Sequence, residues 1–305
     1  MQHSKTRKLL GTLIEITIIS DDTTAPDRIE YVFDYFWSIE QEFSRFRPDS
    51  SLSRLNRDKI AQVSSRFITL MKLCKQRYEE TDGLFNPLVQ VARLGYSHSF
   101  DDGNFEQIKS IADTDFSKVL IGTDRISIGE HQSLDFGGIA KGYAVDMAAA
   151  ILLAFGYDNF FVNAGGDIYT HGMNNSGEPW VIGIENPFTL SIDTSLILKN
   201  TAIATSGRYK RNWNIEGRNY HHLVNPLSGE NESAIMSVTL VGRKCVDCDS
   251  LTKSIFHLSP DKGIEKIQKF GMDGLIYTLD GRLLFTTGLL KKYGLTFAEE
   301  EENFV

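Results

Sequence analysis

The order of strand-like and helix-like segments predicts an α+β protein with largely antiparallel sheets flanked by helices. Three observations point there. Short alternating segments come in neighbouring pairs joined by turns, as in hairpins. Long amphipathic helices fall between groups of strands and not after each one, so the regular βαβα order of a doubly wound sheet is missing. No repeat or low-complexity linker divides the 305 residues, which suits a single domain over residues 1–305, or two intimately packed subdomains.

The elements follow in order. After a basic start at Met1–Lys8, Leu9–Ile19 alternates like a first β-strand. Arg28–Phe46 places Ile29, Val32, Phe33, Phe36, Ile39 and Phe43 on one helical face, and Pro48-Asp-Ser-Ser ends it. A second helix runs from about Phe67 to Thr81 and stops at Asp82-Gly83; Asp101–Ser117 is polar and mixed. Two short strands, Val119–Gly122 and Arg125–Gly129, flank a turn at Thr123-Asp124. The block Ser133–Asp146 leads into an Ala/Leu-rich helix ending near Phe155. Strands follow at Phe160–Val162, Val181–Ile184, Leu196–Leu198, Ser237–Val241 and Leu275–Thr278, with helices at Asp249–Leu258 and Gly263–Phe270. Residues 296–305, with Glu299–Glu302, read as a solvated acidic tail.

Composition narrows the function classes. Hydrophobic residues make up 41% and charged residues 24%, ordinary for a globular domain. A net charge of −8 argues against a general electrostatic grip on nucleic acid. No run approaches the roughly 18 apolar residues of a membrane span, and the basic start leads into an alternating strand, not a signal-peptide core. The chain as given therefore reads as cytoplasmic, or as exported or membrane-associated if a leader was removed. Three cysteines, Cys74, Cys245 and Cys248, are too few for a disulfide framework. Cys245-Val-Asp-Cys248 reads as two small residues entering a helix, with a redox pair as the alternative; zinc would need two more ligands.

Four segments carry candidate chemistry. Asp135-Phe-Gly-Gly-Ile-Ala-Lys141 sits where a strand gives way to a helix. Free N–H groups at a helix start, two glycines and Lys141 one turn on can together take a phosphate, or the segment is a plain tight turn with a surface lysine. Asn163-Ala-Gly-Gly-Asp167 reads as a structural turn. His221 and His222 are neighbours on a strand and so point to opposite faces, which leaves one of them free to act as a base. Asp249 is followed by Thr252 and Lys253; a carboxylate with a hydroxyl at helical spacing can hold a hard cation such as Mg2+, and the alternative is an N-cap aspartate.

Taken together these segments resemble the FAD:protein FMN transferase (ApbE) family. The similarity rests on Phe43–Ser50, Thr81–Pro87, Gly95-Tyr96, Asp135–Asp146, Asn163–Asp167, Ala204–Gly207, His222–Gly229 and the Asp249 helix, in register over about residues 9–290. It implies a T-fold-related, ApbE-like architecture and Mg2+-dependent transfer of FMN from FAD to a Ser or Thr hydroxyl of an acceptor protein, with release of AMP. It implies FAD contacts at Leu10, Phe46, Leu94, Gly95, Tyr96, Asp135, Lys141 and Val224. It also implies Mg2+ at Gly138 and Asp249, and His222 as the catalytic histidine. Two positions depart from the family pattern. Asn225 stands where the family has Asp, and Lys253 stands where a Thr ligand is expected, with Thr252 one place earlier. Three consequences stay open: Thr252 takes the ligand role, Lys253 binds phosphate directly, or the chain binds FAD without transferring FMN. An FAD pyrophosphatase using water at the same site is the enzymatic alternative.

Overall fold

The computed structural model describes residues 1–88, 91–96, 103, 105 and 113–297. It contains β1 (Gln2–Leu9), β2 (Thr12–Ile19), α1 (Ala25–Phe43), α2 (Ser51–Asp58), β3 (Ile60–Gln62), α3 (Ser65–Glu80), β4 (Leu120–Ile121), β5 (Arg125–Ser127), α4 (Ala140–Ala154), β6 (Phe160–Ala164) and β7 (Asp167–His171). Then come β8 (Trp180–Glu185), β9 (Ile192–Leu198), β10 (Thr201–Gly207), β11 (Asn212–Ile215), β12 (Arg218–His221), β13 (Ile235–Gly242), α5 (Cys245–Ile255), α6 (Pro260–Lys269), β14 (Asp273–Thr278), β15 (Leu283–Phe285), α7 (Thr287–Tyr293) and β16 (Thr296–Phe297).

One antiparallel sheet of eight strands, in the order β1-β2-β6-β7-β10-β13-β14-β15, organises the molecule. Its strands alternate with period two, so each face buries its own set of side chains. Phe160, Val162, Tyr169, Ala202, Ala204, Val238, Leu240 and Ile276 face the core under α1, α4, α5 and α6. Phe161, Ile168, Ile203, Val241, Leu275 and Tyr277 face the opposite way, against α7 and the small sheet β16-β9-β8. The two cores therefore share one sheet.

Several elements differ from the sequence expectation for identifiable reasons. The basic start is itself strand β1, paired along its whole length with β2 around a turn at Leu10 and Gly11. As an edge strand it buries only Leu9, so it carries no apolar alternation to read. Helix α2 was not anticipated because only Leu52 and Leu55 of its eight residues are buried. Helix α5 begins at Cys245, not Asp249: its cap comes from a distant residue, Asp146 on α4, whose carboxylate accepts from Cys245 N at 2.7 Å and Val246 N at 2.9 Å. The first residues of the expected tail, Thr296 and Phe297, pair with β9 as β16; Glu299–Glu302 and most of Asp101–Ser117 lie outside the described residues.

The close approach of α4 and α5 matters most for the site. A Cβ at Gly142 would stand 2.5 Å from the Cys245 carbonyl oxygen and 2.7 Å from Asp249 Cβ, so only glycine lets the helices touch here. Replacing Gly142 with Ala is expected to cost about 1–3 kcal/mol by forcing the helices apart. Gly138→Ala meets only ordinary contacts, Phe85 at 3.6 Å and Lys253 at 3.7 Å, and should stay within about 0.5 kcal/mol of the parent protein. Urea denaturation of the two variants checks this; equal stability would contradict the reading of Gly142.

Candidate functional site

A cavity of about 500 Å3 opens at one end of the sheet, on the helix side. Its wall is drawn from the β1–β2 turn, the segment after α1, the turn at Leu84–Pro87, the loop before α4, and the chain after β12. Of the residues expected from the sequence, Leu10, Phe46, Tyr96, Asp135, Gly138, Lys141, His222, Val224 and Lys253 line it.

Local structure explains how these side chains come together. Leu10 takes a positive φ of 53° in the hairpin turn, and its N–H donates to Glu40 Oε2 at 2.6 Å, which fixes the turn against α1. After α1, the Arg45 guanidinium bonds Asp135 at 3.0 Å. It also lies 4.1 Å from the ring centre of Phe46 and 4.6 Å from that of Tyr96. The Tyr96 ring in turn packs on Trp213, with centroids 5.6 Å apart. The Phe46 and Tyr96 rings contact each other, with centroids 5.8 Å apart, so the result is a wall of π faces with a guanidinium lying over two of them.

Leu94 and Gly95 stand behind this wall and not on it. The Leu94 carbonyl accepts from Trp213 Nε1 at 2.7 Å. Gly95, at φ +108°, passes so close beneath Ile215 that a Cβ would lie 2.6 Å from its side chain. Both residues position Tyr96; the family resemblance marked the segment, but only the fold separates the ring that faces the cavity from the backbone that carries it.

The cavity is also cationic: Lys8, Arg45, Arg47, Lys141, Arg211 and Lys253 line it, against the two carboxylates Glu40 and Asp135, in a chain whose net charge is −8. Lys141, Arg211 and Lys253 gather at the end that holds His222. Beneath Lys141 and Lys253 lie two buried carboxylates, Asp167 and Asp249. Lys141 donates to Asp167 and stands 3.6 Å from Asp249; Lys253 donates to Asp249. The second Asp249 oxygen accepts from Gly142 N at 2.9 Å. Burial opposes the Asp249 anion, but Lys141 and Lys253 outweigh it and hold its pKa below the usual carboxylate value. Burial together with Asp249 raises the pKa of Asp167. Burial opposes the Lys141 charge as well, and the two carboxylates more than offset it.

Asp167 was read from the sequence only as the end of a glycine turn. That turn is the two-residue hairpin at Gly165 and Gly166, with φ of +65° and +97°, and it sets Asp167 at the start of β7 opposite Lys141. A carboxylate directly after a tight Gly-Gly hairpin was the available signal; its partner lies 26 residues away. Arg45 and Arg211 are site residues that the sequence reading does not name: Arg45 falls inside the Phe43–Ser50 segment, and Arg211 lies between the Ala204–Gly207 and His222–Gly229 segments.

The expected Mg2+ ligands need correcting. Asp249 lies one turn inside α5 and is fully buried, with both oxygens engaged. The Thr252 hydroxyl is buried too; it donates to the Asp249 carbonyl at 2.7 Å and lies 2.7 Å from Ser206 Oγ, away from the cavity. Lys253 is a cation and cannot ligate one. An ion bonded to Asp249 beside this ammonium would meet a repulsion of about 4 kcal/mol per pair of unit charges at about 4 Å. The donor set as arranged does not fit a magnesium ion.

The two histidines face different surroundings. His221 is buried; its Nδ1 lies 3.3 Å from the Leu223 N–H and 3.2 Å from Asn231 Nδ2, which ties down the chain after β12. His222 lines the cavity, with Nδ1 3.3 Å from the Arg211 carbonyl oxygen. A carbonyl can only accept, so Nδ1 carries the proton and Nε2 keeps its lone pair. Burial, helped by Arg211 and Lys253, lowers the His222 pKa to about 3, so the ring is neutral. Cys245 and Cys248 are both buried and free, and burial raises their thiol pKa values well above the ordinary range, which disfavours thiolate chemistry.

Known proteins share both fold and sequence pattern with this chain. The ApbE protein of Thermotoga maritima superposes with a TM-score of 0.85 at 26% identity, over 95% of this chain and 99% of its own. The FAD:protein FMN transferase of Klebsiella pneumoniae is 27% identical over 303 residues, covering 93% of this chain and 92% of the relative. That of Vibrio cholerae is 26% identical over 264 residues, covering 81% and 77%. The profile of the ApbE family matches residues 10–276, from the β1–β2 turn that begins the cavity wall to strand β14, and the chain belongs to the ApbE family.

Proposed function

We propose that this protein is an FAD:protein FMN transferase that moves FMN from FAD to a hydroxyl of an acceptor protein and releases AMP. The observation that carries the reading is the pairing, within one cavity, of an aromatic wall with a cationic end beside a neutral histidine. A dinucleotide such as FAD needs both: flat rings that stack, and a pyrophosphate dianion that seeks N–H donors and positive charge. The Phe46 and Tyr96 rings, with Arg45 over both, offer π surface, and Lys141, Arg211 and Lys253 offer the charge. The Klebsiella and Vibrio relatives, similar along most of this chain, carry the same activity in their names.

In the reaction, the acceptor hydroxyl oxygen bonds to the FMN-side phosphorus while the bond from that phosphorus to the bridging oxygen breaks. AMP leaves with the electron pair, and the hydroxyl proton passes to a base. The free lone pair on Nε2 of His222, a residue of the cavity wall, supports that role for it. A pKa near 3 makes it a weak base on its own. A bound pyrophosphate would offset the Arg211 and Lys253 charges that help depress it and raise it toward the working range.

Incubating the protein with FAD and a Ser/Thr-containing acceptor protein, then weighing the acceptor by mass spectrometry, tests the reading. The acceptor is expected to gain one FMN with stoichiometric AMP. His222→Ala should slow transfer by about 100-fold or more while remaining folded. His221→Ala should lower the melting temperature and keep transfer. FMN released without any acceptor adduct, or an active His222→Ala protein, would contradict the assignment.

Acid should also destabilise the fold. Burial, the largest cause in each case, lowers His221 and His257 to about 4 and His222 to about 3. The unfolded chain binds these protons below about pH 6.5, whereas the folded chain refuses them until about 4. Their contribution is therefore complete above pH 6.5 and lost as pH falls through that window, by up to about 1.4 kcal/mol per unit for each ring. Asp146, raised to about 6 chiefly by burial, and Asp167, raised by burial and by Asp249, act in the opposite sense, two carboxyls against three rings. The urea midpoint should drop between about pH 7 and about pH 5; a constant or rising midpoint would show that these rings are protonated in the fold.

A further inference from the structure

We propose that the Lys253 ammonium is the cation this protein presents to the pyrophosphate of FAD, standing where the Asp249 carboxylate would otherwise hold a divalent ion. The inference rests on the FAD reading above and goes beyond it.

The geometry assigns the place. Lys253 lies one turn beyond Asp249 on α5, and its ammonium donates to Asp249 Oδ1. Asp249 has no exposed surface, while the Lys253 side chain is 16% exposed and lines the cavity. The charge a ligand meets at this point is therefore the ammonium and not the carboxylate beneath it. The other carboxylate oxygen is occupied by the Gly142 N–H, with Lys141 nearby.

The ammonium is also held there. The Lys253 stem runs past Gly138, with Cγ and Cε each 3.7 Å from the point where a Gly138 side chain would begin. A metal ion bonded to Asp249 Oδ1 would have to displace the Lys253 ammonium that occupies it. The hydroxyl that could complete a metal site, on Thr252, is turned inward to Ser206.

Charge balance points the same way. Lys141 and Lys253 against Asp167 and Asp249 form a neutral set before any substrate arrives. Arg211 then adds a positive charge on the same wall. A lysine bonded to one carboxylate oxygen retains N–H donors for phosphate oxygens, which a fixed point charge on a buried anchor supplies without recruiting an ion from solution. FAD affinity should consequently be indifferent to chelators.

The test is FAD titration followed by flavin fluorescence, in EDTA and in millimolar Mg2+. The unaltered protein is expected to bind FAD with affinities within about twofold of each other in the two buffers. Lys253→Met should weaken binding by about tenfold or more in both, since one charge-assisted contact is lost. Lys253→Thr should bind weakly in EDTA and be tightened by about tenfold by Mg2+, because Asp249 is then uncovered beside a hydroxyl oxygen, which Met does not supply. Parent protein that binds FAD about tenfold more tightly in Mg2+ than in EDTA would overturn the proposal without any variant. If FMN transfer to the acceptor persists in that case, the transferase reading stands and only the role of Lys253 falls. Parent protein that binds no FAD in either buffer removes the FAD reading itself, and this inference with it.

Discussion

The site depends on the contact between α4 and α5 at Gly142. Because no side chain intervenes, the Gly142 N–H reaches the Asp249 carboxylate, and lysines from both helices converge on that same group. Asp146, one turn further along α4, binds the first two N–H groups of α5 and locks the crossing from the other side. Asp167 joins from the β6–β7 hairpin and completes a set of two buried aspartates and two partly buried lysines. Such a set is stable only as a whole. Removing one partner from a buried pair typically costs about 3–5 kcal/mol, because a charge is left uncompensated. The charged floor of the cavity is thus a consequence of helix packing and not an addition to it.

The rest of the cavity is organised around that floor. The Arg45–Asp135 pair ties the end of α1 to the loop before α4, and Arg45 stacks with Phe46 and Tyr96 to form the apolar side. The β11–β12 hairpin carries Trp213 under Tyr96 and leads directly into His222. Ring surface, charge and a neutral imidazole therefore come from separate parts of the chain that meet only when the eight-stranded sheet has formed. Fold and site are coupled through the sheet order, because β7, β10 and β13 lie side by side beneath α5.

Much of this was legible before folding, and the failures share a cause. The amphipathic face of α1, the hairpin strands and the helix after Gly138 are local patterns of period 3.6 or 2, and the sequence displays them directly. His221 ends β12 and His222 lies just past it, so the two rings part at the end of the strand and not, as the sequence pattern suggests, by alternation within it. What could not be read is long-range. Asp249 looked like a helix start because aspartate caps helices well, yet the cap of α5 is Asp146, about 100 residues away. Asp167 finds Lys141 only through the fold, and β1 is held by its neighbour and not by its own composition. The Lys253 substitution was visible, but its meaning required seeing that Asp249 is buried beneath it.

The most direct test of the account is a crystal structure of the protein with FAD bound. The account predicts the pyrophosphate within hydrogen-bond distance of Lys253 Nζ, above the α4–α5 crossing, with the FMN-side phosphorus near His222 Nε2 and a ring system along Phe46 and Tyr96. A pyrophosphate bound elsewhere in the cavity, out of reach of both Lys253 Nζ and His222 Nε2, would contradict it.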